Sequence, residues 1–133
     1  MGSRLGSAMW ELVPRPDGVE VRLFGVVTAR DLEAAHRAAY FVTPNERHAF
    51  VVFDLSRVSE FRVTTEEVQR ITNAGGVRLP QCADLYEVVV APRLAHYFVA
   101  RQWWREGGAV PSVVVRTRDA ASKWIAQRQL VPA

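Results

Sequence analysis

The apolar stretch Val51-Val52-Phe53-Asp54-Leu55-Ser56 decides how this chain folds. It begins with branched and aromatic side chains and then reaches a carboxylate and a hydroxyl, at Asp54 and Ser56. A nearly continuous apolar run of this length is typical of a strand that is buried on both faces of a sheet. We therefore expect a central strand from His48 to Asp54, which ends in a turn.

The segment before this strand predicts two strands and one helix. Strands are expected over residues 8–13 and 19–25, joined by a turn at 14–18 whose Asp-Gly pair is a strong hairpin signal. Thr28 and Asp31 resemble a helix N-cap with its acidic partner, so a helix is expected to run from there to about Val42. The apolar arc of that helix consists of Leu32, Ala35, Ala38, Ala39 and Val42.

The segment after the central strand alternates helices with strands. A helix capped by Thr65, with Val68 and Ile71 facing inward, is expected to end near residues 73–76. A strand over 85–91, a helix over 92–106, a strand over 113–115 and a helix over 118–129 follow. The order β-β-α-β-α-β-α-β-α predicts an α/β protein with a single mixed, mostly parallel five-stranded sheet and about four helices.

Composition sets limits on the class of protein. The 133 residues suit one domain, placed at 8–133, with residues 1–7 interpreted as a flexible leader or cloning remnant. The single cysteine, Cys82, excludes an internal disulfide, and with no secretory signal it indicates the cytoplasm. No apolar run approaches the length of a membrane span. The net charge of +3 comes from scattered arginines without a basic run, which disfavours nucleic acid as a partner.

Three stretches resemble the STAS fold of anti-sigma factor antagonists, and in particular its SpoIIAA-like branch, often labelled STAS/SEC14-like. Val51–Val58 resembles the family's strand ending in Asp-Leu-Ser-x-Val, and Val88–Arg101 resembles its fourth strand and the helix after it. Asp119–Ile125 resembles its closing helix. Over about residues 8–128, the resemblance implies this fold and a regulatory role through binding to proteins.

The resemblance also directs attention to a regulatory hydroxyl. STAS regulators carry a phosphorylatable Ser in an Asp-Ser-Ser-Gly turn that opens the second helix. The matching segment here is Phe61-Arg62-Val63-Thr64-Thr65-Glu66, in which that Asp and Gly are absent. Thr64 and Thr65 are the candidate phosphorylation sites, and helix N-capping is the alternative interpretation of both.

The helix over 92–106 is the most unusual element, because apolar side chains surround nearly its whole circumference. Such a helix is expected to be buried on more than one side, whereas a helix on an α/β sheet has one side to bury. We expect the apolar side chains that the sheet does not cover to contact a second copy of the chain, a hydrophobic ligand, or the chain's own loops. The predicted partner or ligand surface consists of Tyr97, Phe98, Arg101, Trp103, Trp104 and Arg105.

The remaining polar residues yield one further candidate site. Asp54 and Ser56 are interpreted either as polar anchors for a ligand at a strand end or as a turn in which Asp accepts backbone N–H groups. The three histidines, at 36, 48 and 96, lack metal-ligand spacing, and Cys82 lacks the context of a nucleophile. The sequence therefore predicts no catalytic residue, no metal and no cofactor.

The sequence thus predicts a non-enzymatic interaction module that binds a protein partner, most simply a second copy of itself in a homodimer. The alternative is a binder or sensor of a small apolar or lipidic ligand. The third hypothesis is a partner switch controlled by phosphorylation.

Overall fold

Consecutive strands lie side by side in one five-stranded sheet, in the order β1-β2-β3-β4-β5. The structure is a computed structural model that describes residues 9–42, 48–64, 66–68, 70–71, 84–107 and 112–130, so the leader predicted at 1–7 lies outside it. β1 pairs with β2 antiparallel and the other neighbours pair in parallel, as predicted. The strands are β1 (Trp10–Arg15), β2 (Gly18–Thr28), β3 (His48–Arg62), β4 (Asp84–Val90) and β5 (Ser112–Val115).

Four helical segments lie on the sheet in the part of the chain that the structure describes. They are α1 (Ala29–Val42), α2 (helical residues 66–68, 70 and 71), α3 (Leu94–Gly107) and α4 (Arg118–Leu130). The first three lie on one face, where parallel crossovers from strand to neighbouring strand place them, and α4 lies on the other. Of the helices described, none combines the length and the apolar character needed to span a bilayer.

Two apolar clusters follow from this division. On the face of α1, Leu32, Ala35 and Ala39 share a cluster with Phe53 and neighbouring strand residues, which confirms these three members of the predicted apolar arc. Val68 and Ile71 of α2 join the same cluster, as expected. On the other face, α4 packs on alternate residues of the same strands, and the described members of that cluster are Phe50, Val52, Val88, Val90, Ala121 and Ile125.

The helix N-termini confirm the cap predicted for the first helix and show the caps of α2 and α4. The Asp31 backbone N–H donates to Thr28 Oγ1 and the Thr28 backbone N–H donates to Asp31 Oδ2, a reciprocal capping box. The backbone N–H of Ala120 donates to Thr117 Oγ1 at 3.0 Å, so Thr117 caps α4. Thr64 caps α2, and Thr65, which was predicted to cap this helix, lies outside the described residues.

Two predicted boundaries were wrong in an instructive way. Pro92 was expected in the first turn of the third helix, but α3 begins at Leu94. The residue before it, Arg93, accepts the Tyr97 N–H through its backbone carbonyl. The central strand was expected to end at Asp54, but β3 continues to Arg62 because β2 also continues, to Thr28, and pairs with it across two register shifts. Backbone pairing therefore extends the strand through a polar sequence that shows no apolar pattern.

Candidate functional site

A bulge lies in β3 directly after Asp54. Arg22 pairs with Asp54 and Phe24 pairs with Arg57, so two residues of β3 stand opposite the single residue Leu23 of β2. Up to the bulge the core under α1 takes alternate residues of β3, which are Val51, Phe53 and then Leu55, the first of the two bulged residues. The next buried residue is three positions later instead of two. The extra residue therefore leaves Ser56 and Arg57 both exposed, next to Asp54.

The polar site predicted at a strand end thus lies inside β3, at this bulge. Asp54 is still level with two strand ends, because it pairs with Val90, the last residue of β4, which pairs with Val115, the last residue of β5. Ser56 donates its backbone N–H to Asp54 Oδ1 at 2.9 Å, the contact expected of an Asp that stabilises an irregular backbone. Asp54 also has a long-range partner that the sequence does not indicate.

That partner is Arg118, the first residue of α4. Its Nη1 donates to Asp54 Oδ2 at 2.8 Å and to Glu20 Oε2 at 2.8 Å, and its Nη2 donates to Glu20 Oε1 at 2.9 Å. Glu20 is buried at 2% exposure, and Arg22 and Arg15 also donate to it, at 2.7 and 3.1 Å. Arginine side chains from three elements thus cover one carboxylate of β2.

Hydrogen bonding decides the protonation of this cluster. Burial alone would raise the pKa of Glu20, but its hydrogen bonds from Arg118 and Arg22 outweigh burial and hold the pKa below the usual value. The bond to Glu20 in turn raises the pKa of Arg118. Glu20 is therefore a carboxylate and Arg118 a guanidinium at neutral pH. Neither residue was identified from the sequence, because Glu20 occupies a position that is typical of the solvent-exposed face of an alternating strand.

The third helix, which was predicted to carry a partner or ligand surface, leaves two large apolar side chains exposed. Leu94 and Phe98 are 54% and 58% exposed, and among the described side chains they are the large apolar ones that lie open to solvent. They are one helical turn apart, so they form a single apolar stripe on α3. Arg101 is exposed as well. The side chains of Trp103, Trp104 and Arg105 lie outside the described part of the structure.

The opposite side of α3 faces the sheet. Ala100 is buried there, and Tyr97 and Val99 are partly buried against the same cluster. The ring of Tyr97 is contacted by two guanidinium groups, those of Arg101 and Arg116, each 5.8 Å from the ring centroid. Tyr97 and Arg101 also line a groove of about 430 Å³ whose other wall is residues 112–114 of β5.

Thr64, one of the two candidate phosphorylation sites, has a structural role. Its hydroxyl accepts the backbone N–H of Glu67 at 3.2 Å, and the Glu67 carboxylate accepts the Thr64 backbone N–H at 2.9 Å. These bonds form a capping box at the start of α2, and they lower the pKa of Glu67. The N-capping interpretation of Thr64 therefore has direct geometric support.

A buried hydrogen-bonded pair that the sequence analysis missed joins α1 to β4. His36 Nε2 and Glu87 Oε2 are 3.0 Å apart, and each side chain is 2% exposed. The His36 ring also stacks on Phe53, with centroids 5.5 Å apart. The signal was present, because Glu87 interrupts an otherwise apolar strand and a charge in such a position needs a buried partner.

Of the other residues considered for chemistry, His96 has a described side chain. His96 packs edge-on against Phe61, and burial lowers its pKa. The side chain of His48 and the whole of Cys82 lie outside the described residues. Within the ranges that the structure covers, no three His, Cys, Asp or Glu side chains converge as metal ligands do.

Comparison with known proteins supports the fold. No family model and no curated protein sequence matches the chain. A solved structure that does match is an uncharacterized protein of the DUF3478 family, with a SpoIIAA-like fold, from Shewanella loihica PV-4. It is 11% identical, the match covers 94% of this chain and 98% of that one, and the TM-score is 0.52. An identity this low shows the fold alone.

Proposed function

We propose that this chain, which has a SpoIIAA-like fold, is a non-enzymatic interaction module that associates with a second copy of itself through α3. The observation that carries the proposal is the apolar stripe of Leu94 and Phe98, both more than half exposed on a helix whose opposite side is already packed on the sheet. Exposed apolar surface of this kind is stabilised when a partner covers it.

A two-fold arrangement suits this stripe. In an isologous dimer the same patch faces itself, so Phe98 of one copy contacts the α3 stripe of the other. Aromatic residues with adjacent arginines are typical of such contacts, and Arg101 lies one turn from Phe98 and is exposed. The guanidinium group can remain at the rim of the interface while the apolar side chains are buried.

Phe98→Glu tests this proposal. Phe98 is the more exposed residue of the stripe, so its replacement leaves the core intact, but it places a charge at the centre of the interface. We expect the dimer to weaken by at least about tenfold, as for an interface hot spot. Sedimentation velocity of the full chain over a concentration series measures this change.

The matched control is Gln127→Glu, which introduces the same charge at an exposed position of α4, on the other face of the sheet. Its sedimentation is expected to equal that of the wild type. If Phe98→Glu and wild type give the same distribution of species, α3 is not the interface.

A small apolar ligand is the second candidate, and the groove between α3 and β5 favours it. Tyr97, which was predicted to line such a pocket, is in that groove together with Val113 and Val114. A ligand seated there would contact Tyr97. This candidate predicts that the native protein carries the mass of a bound ligand, whereas the dimer predicts twice the mass of the chain with nothing added.

A further inference from the structure

A groove at the bulge of β3 is separate from α3. It encloses about 230 Å³ between β2, β3 and the first residue of α4. Its lining carries three guanidinium groups and a single carboxylate. The lining residues are Arg22, Leu23, Asp54, Ser56, Arg57 and Arg118.

The bulge is what brings Arg57 to this groove. In a regular strand Arg57 would point to the same side as Leu55, into the core under α1. The extra residue shifts that alternation, and Arg57 joins Asp54 and Ser56 on the open side. The bulge that places an arginine here interrupts the backbone hydrogen bonds between β2 and β3. Bulges of this kind commonly redirect a side chain toward a binding site.

Arg57 and the Ser56 hydroxyl are available to a ligand. Among the residues that the structure describes, neither group makes a hydrogen bond or an ion pair. By contrast, Arg62 further along the same strand donates to Glu60 at 2.6 Å. The groove therefore holds an unpaired cation beside an unpaired hydroxyl.

Arg118 lines the groove and retains unused donors. Three hydrogen bonds hold its guanidinium on Glu20 and Asp54, and a guanidinium has more N–H groups than these three bonds use. Because both carboxylates fix it in place, Arg118 loses little conformational freedom when a ligand binds. Asp54 accepts from Arg118 and from the backbone of Ser56, so its charge is balanced locally.

We propose that this groove binds a phosphate group, of the monoester kind, through Arg57, Arg118 and the Ser56 hydroxyl. A phosphate presents several oxygens to several donors at once, and planar guanidinium groups match that geometry. Arg22, which Glu20 holds at 2.7 Å, lines the groove from the neighbouring strand. The phosphate occupies the open side of the bulge, in front of the Glu20–Arg118 pair.

Calorimetric titration of the full chain with inorganic phosphate, at low ionic strength, tests the proposal. Arg57→Gln is expected to weaken binding by about tenfold, since it removes one charged hydrogen-bond donor. Arg57 has no partner in the described structure, so the variant is expected to unfold at the wild-type temperature, which shows that the loss is local.

Arg62→Gln is the matched control, because it removes an exposed arginine from the same strand outside the groove. Its affinity for phosphate is expected to stay within about twofold of the wild type. Absence of phosphate binding to the wild-type chain overturns the proposal, and so does an equal loss in both variants.

Two further probes distinguish the source of the phosphate. Glycerol 3-phosphate represents a small soluble monoester, and vesicles of phosphatidylcholine with phosphatidic acid represent a lipid headgroup. Binding of the first without co-sedimentation with the second identifies a soluble ligand. Co-sedimentation that depends on Arg57 and on phosphatidic acid identifies a membrane surface. Failure of both probes contradicts the assignment of a monoester.

Discussion

Arg118 on α4 donates hydrogen bonds to both carboxylate oxygens of Glu20 on β2, at 2.8 and 2.9 Å. α4 packs chiefly on β3, β4 and β5, so this ion pair links the last helix to the first half of the sheet. The same guanidinium also contacts Asp54 at the bulge of β3. One side chain therefore couples three elements, and the stability of the fold should depend on it measurably.

Glu20→Gln is expected to lower the free energy of unfolding by about 2 kcal/mol. The carboxylate is buried and charge-assisted bonds are lost, although Arg118 is half exposed and keeps some hydration, which limits the effect. Urea unfolding measures the change. Glu60→Gln, at an exposed ion pair with Arg62, is the control and is expected to stay within about 0.5 kcal/mol of the wild type. Equal effects of the two substitutions would show that the buried ion pair contributes no more to stability than the exposed one.

Glu20 also makes stability depend on pH. Its pKa in the folded protein is below the ordinary value of 4.5, so the unfolded chain binds more protons in that range. Stability from this group is present above about pH 4.5 and is lost as the pH falls through the folded pKa. In urea unfolding at a series of pH values, Glu20→Gln should show a shallower loss below pH 4.5 than the wild type. Parallel curves for the two proteins would refute this linkage.

The His36–Glu87 pair is expected to behave as a coupled unit. His36→Leu leaves the Glu87 carboxylate buried without this partner, and we expect a loss of about 3 kcal/mol. The double variant with Glu87→Leu should lose less than the sum of the two single variants, by more than about 0.5 kcal/mol. A double-mutant cycle from urea unfolding measures the coupling, and strict additivity would argue against a direct interaction between the two side chains.

The capping box of α2 predicts opposite results for two substitutions of Thr64. Thr64→Ala removes the oxygen that accepts the Glu67 N–H and is expected to cost about 1 kcal/mol of unfolding free energy. Thr64→Asp supplies an equally good cap and should stay within about 0.5 kcal/mol of the wild type. Comparable destabilisation by both variants would mean that Thr64 contributes something other than a cap.

The strands and helices were predictable where one face of each is apolar. The arc of α1, the pattern of β2 and the apolar run of Val51–Leu55 each indicate their element from local sequence. The second half of β3 was not predictable in this way. Ser56, Arg57 and Glu60 are exposed there, and the strand persists because β2 supplies its backbone partners.

The candidate sites depend still more on distant contacts. Asp54 was identified as a polar residue after an apolar run, but its pairing with Arg118 joins residues 64 positions apart. The exposure of Phe98 could not be read from α3, because apolar residues surround that helix and only the position of the sheet decides which of them stay open. Sequence indicated the helix as an interaction surface and left its open face undetermined.

Native mass spectrometry of untagged protein, purified from its own host, tests the proposed function most directly. We expect a species of twice the chain mass with nothing added, in an equilibrium with monomer that shifts with concentration. A monomer at every concentration would contradict self-association through Leu94 and Phe98. A monomer that carries a few hundred extra daltons would instead identify a ligand-binding protein, and the groove beside Tyr97 would be the place to look for that ligand.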